Sequence, residues 1–169
     1  MVSLMKEKTC CFTGHRVIPK GESANIQSKL EKAVVSLIEK GYCFFGVGGA
    51  LGFDTMAAQT TLKLKEQYPQ IRLILVLPCK EQTKNWKSDD IAIYNDILHQ
   101  ADKVVYTSES YYNGCMQKRN RHLVDCSSVC ITYCTKPSGG TAYTVNYAHK
   151  HRVPVIQLSS LQEIKNANE

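Results

Sequence analysis

The chain has 169 residues, 43% of them hydrophobic and 21% charged, which suits one domain with a continuous core and speaks against disorder. No apolar run approaches the roughly 20 residues of a membrane span, and Met1–Lys8 lacks the apolar stretch of a signal peptide, so a cytoplasmic location with no membrane partner is expected. A net charge of +6 and a pI near 8.9 favour an anionic partner, but the basic residues are scattered, which weakens the case for nucleic acid.

Short apolar runs alternate with helical patterns from end to end. Lys8–Thr13 (K-T-C-C-F-T) reads as a first strand. Ser23–Lys40 reads as a helix whose apolar stripe is Ile26, Leu30, Ala33, Val34, Leu37 and Ile38. Gly41 ends it in the C′ role. Tyr42–Val47 is a second strand and Phe53–Gln67 a second helix. Ile71–Leu77 is a third strand, apolar almost throughout, as a strand covered on both faces should be. Ser88 is placed as the N-cap of a helix reaching His99, followed by a strand at Lys103–Thr107. Gly114–Cys126 reads as a helix, Ser128–Tyr133 as a strand and Thr141–His151 as a helix. A last strand at Val153–Leu158 and a short helix at Ser160–Asn166 complete the pattern. Such alternation implies βαβ units: a single α/β domain over residues 1–169, Rossmann-like, with a doubly wound parallel sheet and helices on both faces.

Ligands of such sheets bind beyond the carboxyl ends of the strands, where the strand order switches direction. The loops after each strand are therefore the candidates. The first contains Gly14, His15 and Arg16; glycine permits close approach of backbone to a ligand, and the two side chains behind it suit an anion, although a plain turn with a solvated Arg reads equally well. The second, Gly46 to Asp54, carries Gly48, Gly49 and Gly52 into a helix N-terminus, whose N–H groups suit phosphate. Asp54 there either meets a sugar hydroxyl or simply complements the helix dipole.

In the third loop, Trp86 lies among Lys80, Lys84 and Lys87, and either stacks on a base or caps the edge of the core. In the fourth, Met116, Arg119 and Leu123 share a helix face, so Arg119 lies among apolar contacts and calls for an anion or an ion pair. The fifth, Ser138-Gly139-Gly140-Thr141, opens another helix and adds two hydroxyls able to donate to phosphate. Two such cradles, expected on neighbouring strands, are more specific than either alone.

The eight cysteines form no C-x-x-C pair, and most read as small buried hydrophobes in a reducing compartment. Neither a metal nor a cofactor is expected.

Taken in this order, T-G-H-R (Thr13–Arg16), G-G-A-L-G-F-D (Gly48–Asp54), R-N-R (Arg119–Arg121) and S-G-G-T-A-Y-T-V from Ser138 resemble the SLOG superfamily, and within it the T-G-H-R-bearing YpsA-like proteins. The resemblance runs from Cys10 to the last strand. It implies a Rossmann-like fold, a role in sensing or processing nucleotides and their derivatives, and a homodimer. One related branch is the cytokinin-activating, "lysine decarboxylase-like" phosphoribohydrolases, with an M-x-x-R-K helix and a P-G-G-x-G-T-x-x-E loop. Met116 to Asn120 matches the first with Asn in place of Lys; the second matches at Gly139 and Gly140, and its catalytic Glu falls on Asn146. Asparagine has neither the charge nor the basicity for N-glycoside cleavage. The other branch is the DNA-processing protein A family, which binds single-stranded DNA.

The leading expectation is a protein that senses or sequesters a nucleotide-derived small molecule. Backbone N–H groups of Gly48, Gly49, Gly139, Gly140 and Thr141 are expected to hold phosphate, with Arg16 and Arg119 as charge partners. Asp54, Asn120 and, as a further candidate, Trp86 would address sugar or base. The alternatives are a hydrolase of N-glycosidic bonds, in which Arg119 would be catalytic, and third, single-stranded DNA binding.

Overall fold

Six apolar runs pair into one sheet because each has stretches between it and the next that are long enough for a helix to cross over and cover it. This computed structural model describes residues 4–168, apart from the side chains at positions 161–163 and 167, so the outermost positions of the expected 1–169 domain lie outside the described residues. They run α1 (Leu4–Glu7), β1 (Thr9–Gly14), α2 (Ser23–Glu39), β2 (Phe44–Val47), α3 (Phe53–Gln67), β3 (Arg72–Leu77), α4 (Ser88–Gln100), β4 (Lys103–Tyr106), α5 (Cys115–Asp125), β5 (Val129–Tyr133), α6 (Gly140–Lys150), β6 (Val155–Gln157) and α7 (Leu161–Asn168).

Every pairing is parallel and the order is β4-β3-β2-β1-β5-β6. The chain therefore winds outward from β1 to β4, then returns to the other side of β1. The sheet alternates its side chains between two cores. Phe12, Phe45, Leu73, Leu75 and Leu77 meet α2, α3 and α4, with Ile26, Leu30, Val34, Ala57, Leu64 and Ile97 contributed by those helices. Cys11, Val76 and Cys130 face the other way, against Leu123, Val124 and Ala148 of α5 and α6. Helices thus lie on both faces, and the Rossmann-like reading holds.

Local rules explain several boundaries. Helix α2 closes on Gly41 at φ 99°, where Gly41 N–H donates to Ile38 O and Tyr42 N–H to Leu37 O, both at 3.0 Å. This is the Schellman pattern. It takes Tyr42 into the helix end, so β2 starts later than Tyr42. At the end of α6 the Val153 N–H likewise donates to Ala148 O at 2.8 Å, and β6 begins only at Val155.

Two expectations are corrected. Ser88 is the first residue of α4, not its cap; Lys87 holds the N-cap position in extended backbone and offers no side-chain cap bond. The two glycine turns do not sit on neighbouring strands: β1 lies between β2 and β5, because the chain doubles back across it. Helix α1, a single turn, has no counterpart in the sequence pattern. All eight cysteines are free, six of them buried. Among the described residues no helix is long and apolar enough to cross a membrane.

Candidate functional site

Since β2 and β5 flank β1, the loop after β1 stands at the topological switch with a glycine turn on each side. A cleft of about 260 Å³ opens there. Its walls are Gly14 at the end of β1, His15 and Arg16 after it, Ala50 and Asp54 around the start of α3, Met116, Arg119 and Asn120 on α5, and Gly140 and Thr141 at the N-terminus of α6.

Arg119 is the central charge. Helical spacing puts it on the buried side of α5 with Cys115 and Leu123, and only 4% of it is exposed. Its guanidinium partners are all neutral: Nη1 donates to Gly48 O, Nε to Asn120 Oδ1 at 2.8 Å, and Nη2 lies 4.0 Å from Met116 Sδ. The only ion pairs among the described residues are Lys63–Glu31 and Lys65–Asp102, both elsewhere. Burial pulls the Arg119 pKa down, while the charge of Asp54 pushes it up.

Asp54 is the buried acid of the cleft. It sits in the first turn of α3, 7% exposed, and accepts a hydrogen bond from Ala50 N–H at 3.2 Å. Burial pushes its carboxyl up from 3.8 to about 6, against the pull of Arg119, the Ala50 bond and Arg16. A group poised there changes protonation state near neutrality.

His15 serves the scaffold on one side and the cleft on the other. Its Nε2 accepts from Thr135 N–H at 2.8 Å, and Thr135 Oγ1 lies 3.1 Å away. A backbone N–H only donates, so Nε2 carries no proton and the neutral ring bears its hydrogen on Nδ1. Burial, then the charge of Lys136, lowers its pKa in agreement with that bond. The ring packs edge-on to Tyr133 at 5.6 Å.

The glycines of the first two loops bring parts of the protein together. A Cβ on Gly48 would lie 2.7 Å from Arg119 Nη1, so this glycine makes room for the guanidinium. On Gly52, at φ 75°, it would lie 2.2 Å from Arg16 O, the close contact that docks the loop after β1 onto α3. The same docking is held by Phe53 N–H donating to His15 O at 3.0 Å. On Gly14 the space is occupied by the Phe53 ring, and on Gly49 by Leu77. Of the glycines expected to hold phosphate, only Gly139 and Gly140, at the α6 turn, face open space.

Eight of the fourteen sequence candidates line the cleft: Gly14, His15, Arg16, Asp54, Arg119, Asn120, Gly140 and Thr141. Gly48, Gly49 and Gly52 lie behind its wall, and Ser138 and Gly139 sit just before α6 without lining it. Trp86 stands edge-on to Tyr94 at 5.5 Å and is not part of the lining. Asn146 is exposed and lines a separate depression with Thr135 and Gln157. The position matched to a catalytic Glu is therefore outside the cleft, and the carboxylate inside it is Asp54. The sequence reading missed Phe12, Thr13, Ala50 and Met116 in the lining. It also missed buried Gln82, whose Nε2 donates to Gly48 O at 3.4 Å and helps hold the carbonyl that Arg119 uses. A polar residue just after an apolar strand is too common a signal to have found it.

The model of the YspA SLOG family matches residues 19–161. The chain belongs to this family. It is 32% identical over 130 residues to a UPF0398 protein of Halalkalibacterium halodurans, covering 75% of this chain and 69% of that one. It is 31% identical over 138 residues to the SPbeta prophage-derived protein YoqJ of Bacillus subtilis, covering 74% and 81%. The UPF0398 protein YpsA of Bacillus subtilis matches at 26% over 130 residues, covering 75% and 72%. Among solved structures, DNA processing protein A from Helicobacter pylori, described with its single-stranded DNA binding mode, superposes with a TM-score of 0.66 at 17% identity, covering 97% of this chain and 73% of that one. The structural genomics target TM1055 gives 0.55 at 18%, covering 88% and 72%. Both likenesses concern the fold.

Proposed function

We propose that the cleft binds a nucleotide-derived small molecule through its phosphate, so that the protein senses or sequesters it. The observation that carries this reading is Arg119: a guanidinium 4% exposed, facing a cleft, with no carboxylate within ion-pair distance. A buried charge left with neutral partners is costly, and an anion entering the cleft supplies the missing partner. Gly140 and Thr141 at the N-terminus of α6 line the same cleft, where helix N–H groups and dipole suit phosphate. Arg16 adds a second cation. The test is thermal stabilisation by a panel of nucleoside mono- and diphosphates. A ligand at a hundredfold excess over Kd adds about 2.7 kcal/mol. That gain should vanish in Arg119→Ala and weaken in Arg16→Ala, and a gain unchanged in both would sink the reading.

A second reading has an observation of its own. Asp54 supplies the cleft with a carboxyl near pH 6, the kind of group that protonates a leaving base or stabilises a cationic sugar. Under this reading the protein hydrolyses N-glycosidic bonds. Free base would then appear with time, and Asp54→Asn would abolish its release while leaving binding in place. Single-stranded DNA, the ligand named for the Helicobacter pylori fold relative, is the third candidate; it requires an affinity that falls steeply with salt.

A further inference from the structure

The second face of the sheet is covered unevenly. Helices α5 and α6 pack over β1, β5 and β6, and α5 also reaches β3, but between His122, Leu123 and Asp125 of α5 and Met5 and Lys6 of α1 the surface of β2, β3 and β4 stays open. Parallel sheets are ordinarily buried on both faces. Here a cavity of about 530 Å³ remains, larger than the cleft and within the range of small-molecule sites.

The register explains its shape. Cys11, Gly46, Ile74 and Lys103 lie side by side across β1 to β4, and Val76 pairs with Val105 one step further on the same face. Gly46 has no side chain, and Leu123 takes the space above it, where a Cβ would lie 3.1 Å from Leu123 Cδ2; the cavity opens beside that contact, walled by Ile74, Val76, Val105 and Leu123. The rim is cationic. Lys6 and Lys103 line it together with His122, whose Nε2 approaches Cys126 Sγ within 3.7 Å; burial and then the Asp125 carboxylate raise the Cys126 thiol, and the ammonium charges of the two lysines oppose them. The lysines have no ion-pair partner among the described residues. The rim's acid, Asp125, accepts a hydrogen bond from Tyr147 OH at 2.8 Å.

We propose that this cavity is a second binding site, distinct from the cleft, for a small amphiphilic anion: an aliphatic carboxylate whose chain lies against Ile74, Val76, Val105 and Leu123 and whose carboxylate meets Lys6, Lys103 and His122. The apolar floor accounts for the chain, and the two lysines, which outnumber the rim's one acid, account for the charge. The proposal does not depend on what the cleft binds.

Isothermal titration with decanoate tests it, with 1-decanol as the uncharged control. Decanoate should bind one per chain and decanol about fivefold or more weaker, the factor expected for one rim ion pair worth about 1 kcal/mol. Lys103→Glu should weaken decanoate by at least the same factor, and Val105→Trp, which fills the cavity from an edge strand, should abolish its binding. Arg119→Ala should leave it unchanged, which separates failure here from failure of the cleft reading. Equal affinity for acid and alcohol, or decanoate binding that survives Val105→Trp, overturns the proposal. So does sedimentation of the wild type as a dimer that Val105→Trp dissociates and that binds no decanoate, since the face is then a subunit interface.

Discussion

Replacing Asp54 with Asn should make the protein more stable at neutral and alkaline pH. The folded-state pKa of Asp54 is raised, from 3.8 to about 6. Between those values the unfolded chain has released the proton and the folded chain still holds it. Its contribution is therefore fully present below about pH 4 and is lost as pH rises through 6. Two units at about 1.4 kcal/mol each make a cost of about 3 kcal/mol at pH 8. Asparagine keeps an oxygen for the Ala50 N–H but brings an amide that needs an acceptor in a buried place, a penalty of about 1–3 kcal/mol that is the same at every pH. The clean quantity is thus the difference between variant and wild type, not either value alone. Measured by urea unfolding at intervals from pH 4 to pH 8, that difference should move in favour of Asp54→Asn by about 3 kcal/mol. The half-buried His15 titrates in both proteins and cancels. A difference that stays flat across the range would refute the reasoning, because it would mean that Asp54 ionises as easily folded as unfolded.

Three further outcomes follow from the same geometry. His15 should titrate below 6.5, with its neutral form protonated at Nδ1, as read from imidazole nitrogen shifts; a pKa at or above 6.5, or an Nε2–H tautomer, would contradict the Thr135 bond. Gly52→Ala should cost about 3 kcal/mol or more, since positive φ and a Cβ meeting Arg16 O act together, whereas Gly139→Ala, strained but unobstructed, should cost about 1–2 kcal/mol. Denaturant midpoints that rank the two the other way would show that the loop yields. Sulfate, which does not titrate in this range, should bind the cleft more tightly at pH 5 than at pH 7.5 in the wild type, because protonation removes the Asp54 charge, and the preference should shrink in Asp54→Asn, where His15 alone of the two still titrates.

The fold was legible because its signals are local. The apolar stripe of α2, the glycine after it and the apolar run of β3 each follow from the spacing of a few residues. Strand order was less accessible, since it is decided by pairings such as Cys11 with Cys130 that no local period reports. The same distance hid the partner of His15, 120 residues along the chain. Glycines could be located but not interpreted: the sequence shows that Gly48, Gly49 and Gly52 lack side chains, not that Arg119, Leu77 and the Arg16 backbone occupy the space left. Motif matching puts a missing carboxylate at Asn146, yet which side chain reaches the cleft is set by helix phase, which turns Asn146 outward and Asp54 inward.

The return of the chain to β1 also fixes when the cleft can exist. Thr141 is made roughly 130 residues after Gly14, about 6–25 s later at a synthesis rate of about 5–20 residues per second. Until then β1 is the open edge of a four-stranded sheet, ready to pair with any extended segment that arrives first. Parallel pairing across so long a loop is slow to form. The nascent chain thus passes through an interval in which a strand buried along most of its length in the finished sheet is an open edge, and the cleft itself belongs only to the finished molecule.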